Sequence, residues 1–284
     1  YYYFVTSPPT LAAGVLVVGG WVMDNQETNE PSGVVRAYDP RTGELAWAWD
    51  MGREGDTSLP PQGETYTRGT PNVWSLTAAD DELGLVYVPT GNATPDYFGG
   101  HRTEIMDKYA SSIVAIDAKT GLTRWHFQTT HHDIWDYDVP SQPTLVDITL
   151  DGALRKVVIV PTKRGEVFVL DRVTGEPLTE VSERPVPQTD LPNERSSATQ
   201  PFSTGMPSFA HPRIREQDLI GITPFDQMAC RTAFHQLRYE GPMTPPSVQG
   251  TLLYPGPAGG MNWGSVAVDE QRQLLVVNNL HLPW

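Results

Sequence analysis

The sequence predicts an all-β chain laid out as consecutive blades of a β-propeller, on three observations. Segments 34–49 (VVRAYDPRTGELAWAW), 112–127 (SIVAIDAKTGLTRWHF) and 165–180 (GEVFVLDRVTGEPLTE) share one grammar: an apolar run, an Asp, a Thr-Gly and a second short run. Strand-like runs (GVLVVGGWV, LGLVYVPTG, KVVIVPTKR, QLLVVNN) fall between these segments. Long stretches with helical periodicity are absent.

Each repeat reads as a β-hairpin. The first run alternates into Asp39, Asp117 or Asp171, whose carboxylate suits a turn cap. Gly43, Gly121 and Gly175 then supply the positive φ that other residues resist. The return strand twice carries a Trp four residues after the Gly, at Trp47 and Trp125. Successive Asp residues lie 78 and 54 apart, which suits four-stranded units carrying insertions. A plain β-sandwich leaves the return of Asp, Thr-Gly and Trp unexplained. The hairpins count to four blades or slightly more, too few for a closed ring, so further blades are expected elsewhere.

Residues 182–262 break the pattern. They are rich in Pro, Ser, Gln and Gly, as in RPVPQTDLPNERSSATQPFSTGMPSFAHP, and are expected to run over the surface, with short helical turns within REQDLIGITPFDQMACRTAF. A chain of 284 residues with 39% hydrophobic content supports one domain over 1–284.

Thirty-four acidic against 20 basic residues give a net charge of −14, which argues against nucleic acid and anionic membrane surfaces as partners. The single cysteine, Cys230, excludes an internal disulfide and any CxxC site. The start YYYFVTSPPT has neither an initiator Met nor a signal pattern, and LLVVNNLHLPW closes no domain, so both ends are read as internal to a longer protein.

Three clusters carry polar chemistry. HHDIWDYDVPSQP (131–143) packs His131, His132, Asp133, Asp136 and Asp138 around Trp135 directly after a repeat strand, without the spacing of a zinc site. PTGNATPDYFGG (89–100) offers amide, hydroxyl and carboxylate oxygens that suit a hard cation, although the same residues build ordinary turns. PTKRGEVFVLD (161–171) sets Lys163 and Arg164 at a strand end, where a cation suits an anionic ligand.

Together with GGWVMDN, TPNVWSL and GGMNWG, these clusters follow one another as in the PQQ-dependent dehydrogenases, which this chain resembles over nearly its whole length. The likeness is strongest to the membrane-bound glucose and quinate/shikimate type and looser to the methanol and alcohol enzymes. The resemblance implies that the chain is about half of an eight-bladed propeller of four-stranded antiparallel blades with tryptophan-docking-like repeats. It implies pyrroloquinoline quinone (PQQ) with Ca2+ or Mg2+ as cofactors. Asp136 is then the base that takes the substrate hydroxyl proton, and Lys163 contacts the quinone oxygens. Trp74 stacks beneath the cofactor plane, and Asn262, Trp263 and Asn278 resemble further cofactor contacts. Asp24, Asn25, Asn92 and Thr94, with Asp136, resemble positions near the metal.

The reaction so implied is oxidation of an alcohol group of a sugar, polyol or cyclic hydroxy acid, with electrons passed to ubiquinone. The resemblance places it at the periplasmic face of the bacterial inner membrane, anchored by an N-terminal domain absent from this chain. An open ring taken alone is expected to be inactive. Two alternatives stand beside this reading: a non-enzymatic scaffold propeller that binds proteins, and a soluble PQQ alcohol dehydrogenase. Trp74, Asn92, Asp136 and Lys163 together would be gratuitous in a scaffold.

Overall fold

The computed structural model describes residues 3–150, 152–210 and 213–284. Three antiparallel meanders follow one another, each with its strands in chain order. The first blade comprises Thr10–Ala12, Val15–Val18, Val35–Tyr38 and Leu45–Trp49; the second, Ala78–Asp80, Leu85–Pro89, Ser112–Asp117 and Thr123–Gln128. The third has three strands, Thr144–Leu150, Ala153–Pro161 and Val167–Asp171. Val266–Asp269 pairs with Leu274–Val277 in a further hairpin.

The count of four or more blades is therefore corrected to three blades and the start of another in the terminal hairpin, beside two short two-stranded pairings, Tyr3–Phe4 with Trp21–Val22 and one within the excursion, among the described residues. The third repeat explains part of the difference. Its return strand shrinks to one bridge, Leu170 with Pro177, because a proline has no N–H to extend a ladder.

The three Asp turns are superimposable in their bonding. Oδ1 of Asp39, Asp117 and Asp171 accepts from the two backbone N–H groups that lie two and three residues on, at 2.7–3.2 Å. The glycine N–H returns to the Asp carbonyl at 2.8–2.9 Å, with φ of +73°, +75° and +79° at Gly43, Gly121 and Gly175. Trp47 then reaches into the next blade: its Nε1 donates to the carbonyl of Ala118 at 2.8 Å, and its ring lies on Gly121. Trp125 lies on Gly175 in the same way. The tryptophan of one repeat thus docks on the turn of the next.

Blades stack face to face, which is why the middle strands read as unbroken apolar runs rather than alternating ones. Val86, Val88, Val114 and Ile116 of the second blade face Val35, Ala37 and Trp47 of the first. Leu85, Tyr87, Ile113 and Ala115 face Val158, Val160, Phe168 and Leu170 of the third. The other face of the third blade, with Val157, Ile159 and Val169, meets Val266, Val268, Leu275 and Val277 of the terminal hairpin.

The excursion at 182–262 holds more structure than short turns. Val181–Pro185 pairs with Thr199–Ser203, and a 13-residue helix spans Pro224–Gln236. Pro at its first turn and a Thr223–Asp226 capping box start that helix, a signal that the surrounding Pro and Gly residues obscured. A shorter helix, Glu104–Tyr109, capped by Thr103, precedes the third strand of the second blade. No helix of the described residues is long and apolar enough to cross a membrane.

Candidate active site

In a meander, the loop between second and third strands and the link to the next blade emerge at the same end. The Asp-Thr-Gly turns, between third and fourth strands, emerge at the other. Asp24, Asn92 and Lys163 sit in second-to-third loops of the first, second and third blades, while Trp74 and Asp136 sit in blade-to-blade links. Topology alone therefore gathers them at one end.

Lys163 is the hub. Its side chain is buried, and Nζ lies 2.9 Å from both Oδ1 and the carbonyl of Asp136 and 2.6 Å from Oδ1 of Asp138. The other Asp138 oxygen accepts from Trp74 Nε1 at 2.7 Å. Asp136 has φ +61° and keeps about a fifth of its side-chain surface, 22%, open to solvent. Lys163 is seated from behind by the glycines of GGMNWG: the Gly260 N–H donates to its carbonyl at 2.6 Å, and a Cβ on Gly259 would fall 2.5 Å from its own Cβ.

The electrostatics follow from burying several carboxylates around one ammonium. Burial raises the Asp136 carboxyl well above its ordinary range; Lys163 opposes this and Asp138 adds to it. Asp24 is raised to about 6 by burial and by the charge of Asp138, against the hydrogen bond from Asn72 Nδ2 at 2.6 Å. Asp96 is raised by burial, then by Asp136, Asp24 and Asp138. Burial lowers the Lys163 ammonium, but Asp138 and Asp136 outweigh it and leave it raised.

Two oxygens in this region are buried without a hydrogen-bond donor, Oδ1 of Asp96 and Oδ1 of Asn72. Four carboxylates (Asp24, Asp96, Asp136 and Asp138) and the unpartnered amide oxygen of Asn72, with a single ammonium to offset them, suit a hard cation with oxygen ligands. Among the described residues, however, no three carboxylate, imidazole or thiol side chains converge on one point as a ready ligand set. Lys163 holds Asp136 and Asp138, and Asn72 holds Asp24.

The remaining sequence candidates are placed unevenly. Asn92 is buried, but its Nδ2 donates to the carbonyls of Asp96 (3.1 Å) and Asp133 (2.9 Å) and its Oδ1 accepts the Ala93 N–H, so it ties the loops together. Thr94 is buried, with Oγ1 3.5 Å from the Thr28 carbonyl, and Asn25 is exposed. The Asn262 amide folds onto its own turn, donating to Ala258 and accepting from Trp263 N–H. Trp263 is 70% exposed. Asn278 is exposed, whereas its neighbour Asn279 faces Gly260. Asn72 and Asp96 join the cluster without having been singled out, and Asp138, named only as a member of the 131–143 cluster, proves to be a second carboxylate on Lys163. All three lie inside the quoted motifs, where position within the motif was their only signal.

Over residues 1–284 the chain matches the family described as PQQ glucose/ethanol/alcohol dehydrogenase, β-propeller domain. It belongs to that family. The glycerol dehydrogenase large subunit of Gluconobacter oxydans (strain 621H) is 47% identical over 277 residues, covering 96% of this chain and 37% of that protein. Quinoprotein glucose dehydrogenase of Escherichia coli (strain K12) is 46% identical over 283 residues, covering 99% and 35%. The chain thus spans little more than a third of the length of these relatives. A europium-containing methanol dehydrogenase shares the fold at a TM-score of 0.63 and 21% identity, over 96% of this chain and 44% of that one. The propeller architecture expected from the repeats is shown.

Proposed function

We propose that this chain carries the quinone-handling part of a PQQ-dependent dehydrogenase that oxidises an alcohol group of a sugar, polyol or cyclic hydroxy acid. The observation that carries the reading is the buried Lys163 held between Asp136 and Asp138, with Trp74 bonded to the same Asp138. The glycerol and glucose enzymes among its relatives support the substrate class.

PQQ, when bound, supplies the two-electron acceptor, and Ca2+ or Mg2+ supplies a Lewis acid on its oxygen. Lys163 would hold the anionic quinone oxygens, Trp74 its flat face, and Asp24 with Asp136 the cation, joined by Asn25, Asn92 and Thr94. Asn262, Trp263 and Asn278, which lie outside the Lys163 cluster, would add cofactor contacts from the adjoining loops. Asp136 takes the substrate hydroxyl proton: its partial burial raises its proton affinity towards the working range of a general base, and its solvent-open edge leaves room for an alcohol. Lys163 keeps the ionised form of Asp136 attainable and orients it. Delivery of the electrons to ubiquinone at the periplasmic face of the inner membrane completes the proposal.

The test is reconstitution of the protein that carries this chain with PQQ and Ca2+ or Mg2+, followed by dye-linked oxidation of glucose, glycerol, quinate and ethanol. Asp136→Asn is expected to bind PQQ and lose turnover by about 10²-fold or more. Absence of PQQ binding in the parent protein would overturn the enzyme reading in favour of a scaffold.

A further inference from the structure

His132, four residues before Asp136, is buried at 3% exposure with a carboxylate at each ring nitrogen. Nδ1 lies 3.0 and 3.1 Å from the two oxygens of Asp107, in the short helix of the second blade, and Nε2 lies 3.0 Å from Oε1 of Glu194, in the excursion. A neutral imidazole has one N–H and one lone pair, so one of the two carboxylates would meet it lone pair to lone pair. Only the doubly protonated ring donates to both.

The neighbouring charges agree. Arg195, from the excursion, pairs with Asp107. Arg102, from the 90–103 loop, is buried and donates to the carbonyls of Asp133 (2.5 Å) and Pro95 (2.7 Å). Asp133, on the His132 loop itself, is buried and accepts from Ser111 and from the Trp135 N–H. With His132 charged, three cations (His132, Arg102, Arg195) lie among the carboxylates of Asp107, Asp133 and Glu194, and Asp96 also acts on Arg102. Burial pulls the His132 ring down, but its hydrogen bonds to Asp107 and Glu194 outweigh that and leave it raised.

The ring also lies on backbone. A Cβ at Gly99 would fall 2.6 Å from its Cε1, and the Gly99 N–H donates to Glu194 Oε2 at 2.5 Å. His132 and Asp136 both have left-handed backbone, with φ of +41° and +61°, which persists only where the surroundings over-determine it.

We propose that His132, as a doubly protonated imidazole clasped by Asp107 and Glu194, is a positioning residue that locks the 131–138 loop to the 90–103 loop and the excursion, and so fixes where Asp136 meets Lys163. The positioning role rests on Asp136 being the base; the protonation state of the ring does not.

Two arms test it. In ¹⁵N-imidazole spectra of this chain at pH 7.5, both nitrogens of His132 should be protonated, where an ordinary histidine with a pKa of about 6.5 is mostly neutral. A neutral ring at that pH overturns the clasp. In the holoenzyme, His132→Gln should lower kcat by roughly ten- to a hundredfold with KM changed by less than about twofold, as expected when a catalytic group is misplaced rather than removed. Glu194→Gln, a milder variant, should shift the alkaline limb of the pH profile to lower pH. Unchanged kcat in His132→Gln, or an unmoved limb in Glu194→Gln, overturns the positioning role. A parent protein without dehydrogenase activity overturns the Asp136 reading and the positioning role together, while the spectrum still decides the clasp.

Discussion

Replacing Lys163 by methionine takes the ammonium out of the cluster of Asp24, Asp96, Asp136 and Asp138 while nearly preserving the side chain's length and apolar stem. The ammonium is bonded to Asp136 twice at 2.9 Å and to Asp138 at 2.6 Å, and its side chain is 5% exposed. Removing one partner of a buried ion pair costs about 3–5 kcal/mol, because the carboxylates remain desolvated and lose their compensation. At about 2–4 °C per kcal/mol for a chain of this size, the melting temperature should fall by roughly 6–20 °C.

The assay is thermal melting of the apo chain at pH 7.5 for the parent, Lys163→Met, and the double variant Lys163→Met/Asp138→Asn. An amide at 138 still offers an oxygen to Trp74 Nε1 but carries no charge to strand, so the double variant should recover about 1–3 kcal/mol of the loss. A Lys163→Met protein that melts within about 2 °C of the parent would refute the reasoning, since 2 °C is at most about 1 kcal/mol. So would a double variant less stable than the single one, because it would mean that Asp138 carries no uncompensated charge once the lysine is gone.

Gly121→Ala should destabilise the chain more than Gly43→Ala, as read by urea midpoints. Both glycines have positive φ, so each substitution costs about 1–2 kcal/mol of backbone strain, but the Cβ at 121 would also fall 2.8 Å from the Trp47 ring while that at 43 meets open space. Equal midpoints would remove the docking contact from the account. The clasp at His132 predicts a stability difference between parent and His132→Gln that depends on pH. The raised His132 contributes fully below its unfolded value of about 6.5 and loses that contribution as pH rises through its folded value. The lowered Asp107 and Glu194 contribute above their ordinary values of 3.8 and 4.5 and lose that contribution as pH falls through their folded values. The difference should therefore be largest between about pH 4.5 and 6.5 and shrink above it; a flat difference from pH 5 to 9 would contradict the charged ring.

The architecture was legible because its signal is local and repeated. An Asp that caps its own turn and a Gly with positive φ appear in sequence at all three hairpins, joined at the first two by a Trp at fixed spacing, and the structure forms each Asp turn with the same bonds. Blade number was less legible, since Pro177 ends a strand that the repeat grammar continues. Lys163, Asp136 and Trp74 were legible through their motifs and do come together. The partners that set their charge were not. Asp138 lies two residues from Asp136 in sequence but reaches Trp74 and Lys163 across 64 and 25 positions, and no spacing rule announces such a pair. Asn262 failed to join the cluster for a local reason: its amide caps its own turn, as Asn does most readily.

The part of GGMNWG that does reach the site is its glycines. The Gly260 N–H fixes the Lys163 carbonyl, and the missing side chain of Gly259 makes room for the lysine's own Cβ. Beyond this segment, Leu280 N–H donates to the Gly260 carbonyl at 2.7 Å, so the strand leading out of the terminal hairpin braces the same glycines. Ser141 adds a third tie by donating to the carbonyl of Asn262 at 2.8 Å, from the loop that bears Asp136 and Asp138. The lysine and the carboxylates it serves are thus both moored to one backbone segment of the following blade. A rigid seat of this kind matters for a cation with several acceptors: an ammonium free to swing would satisfy whichever carboxylate came nearest, whereas one fixed through its own main chain holds Asp136 and Asp138 in a set relation. Within 259–264 it is the backbone that meets Lys163, and glycine is the residue that packing requires, while the Asn262 amide bonds its own turn and the Trp263 ring stays exposed.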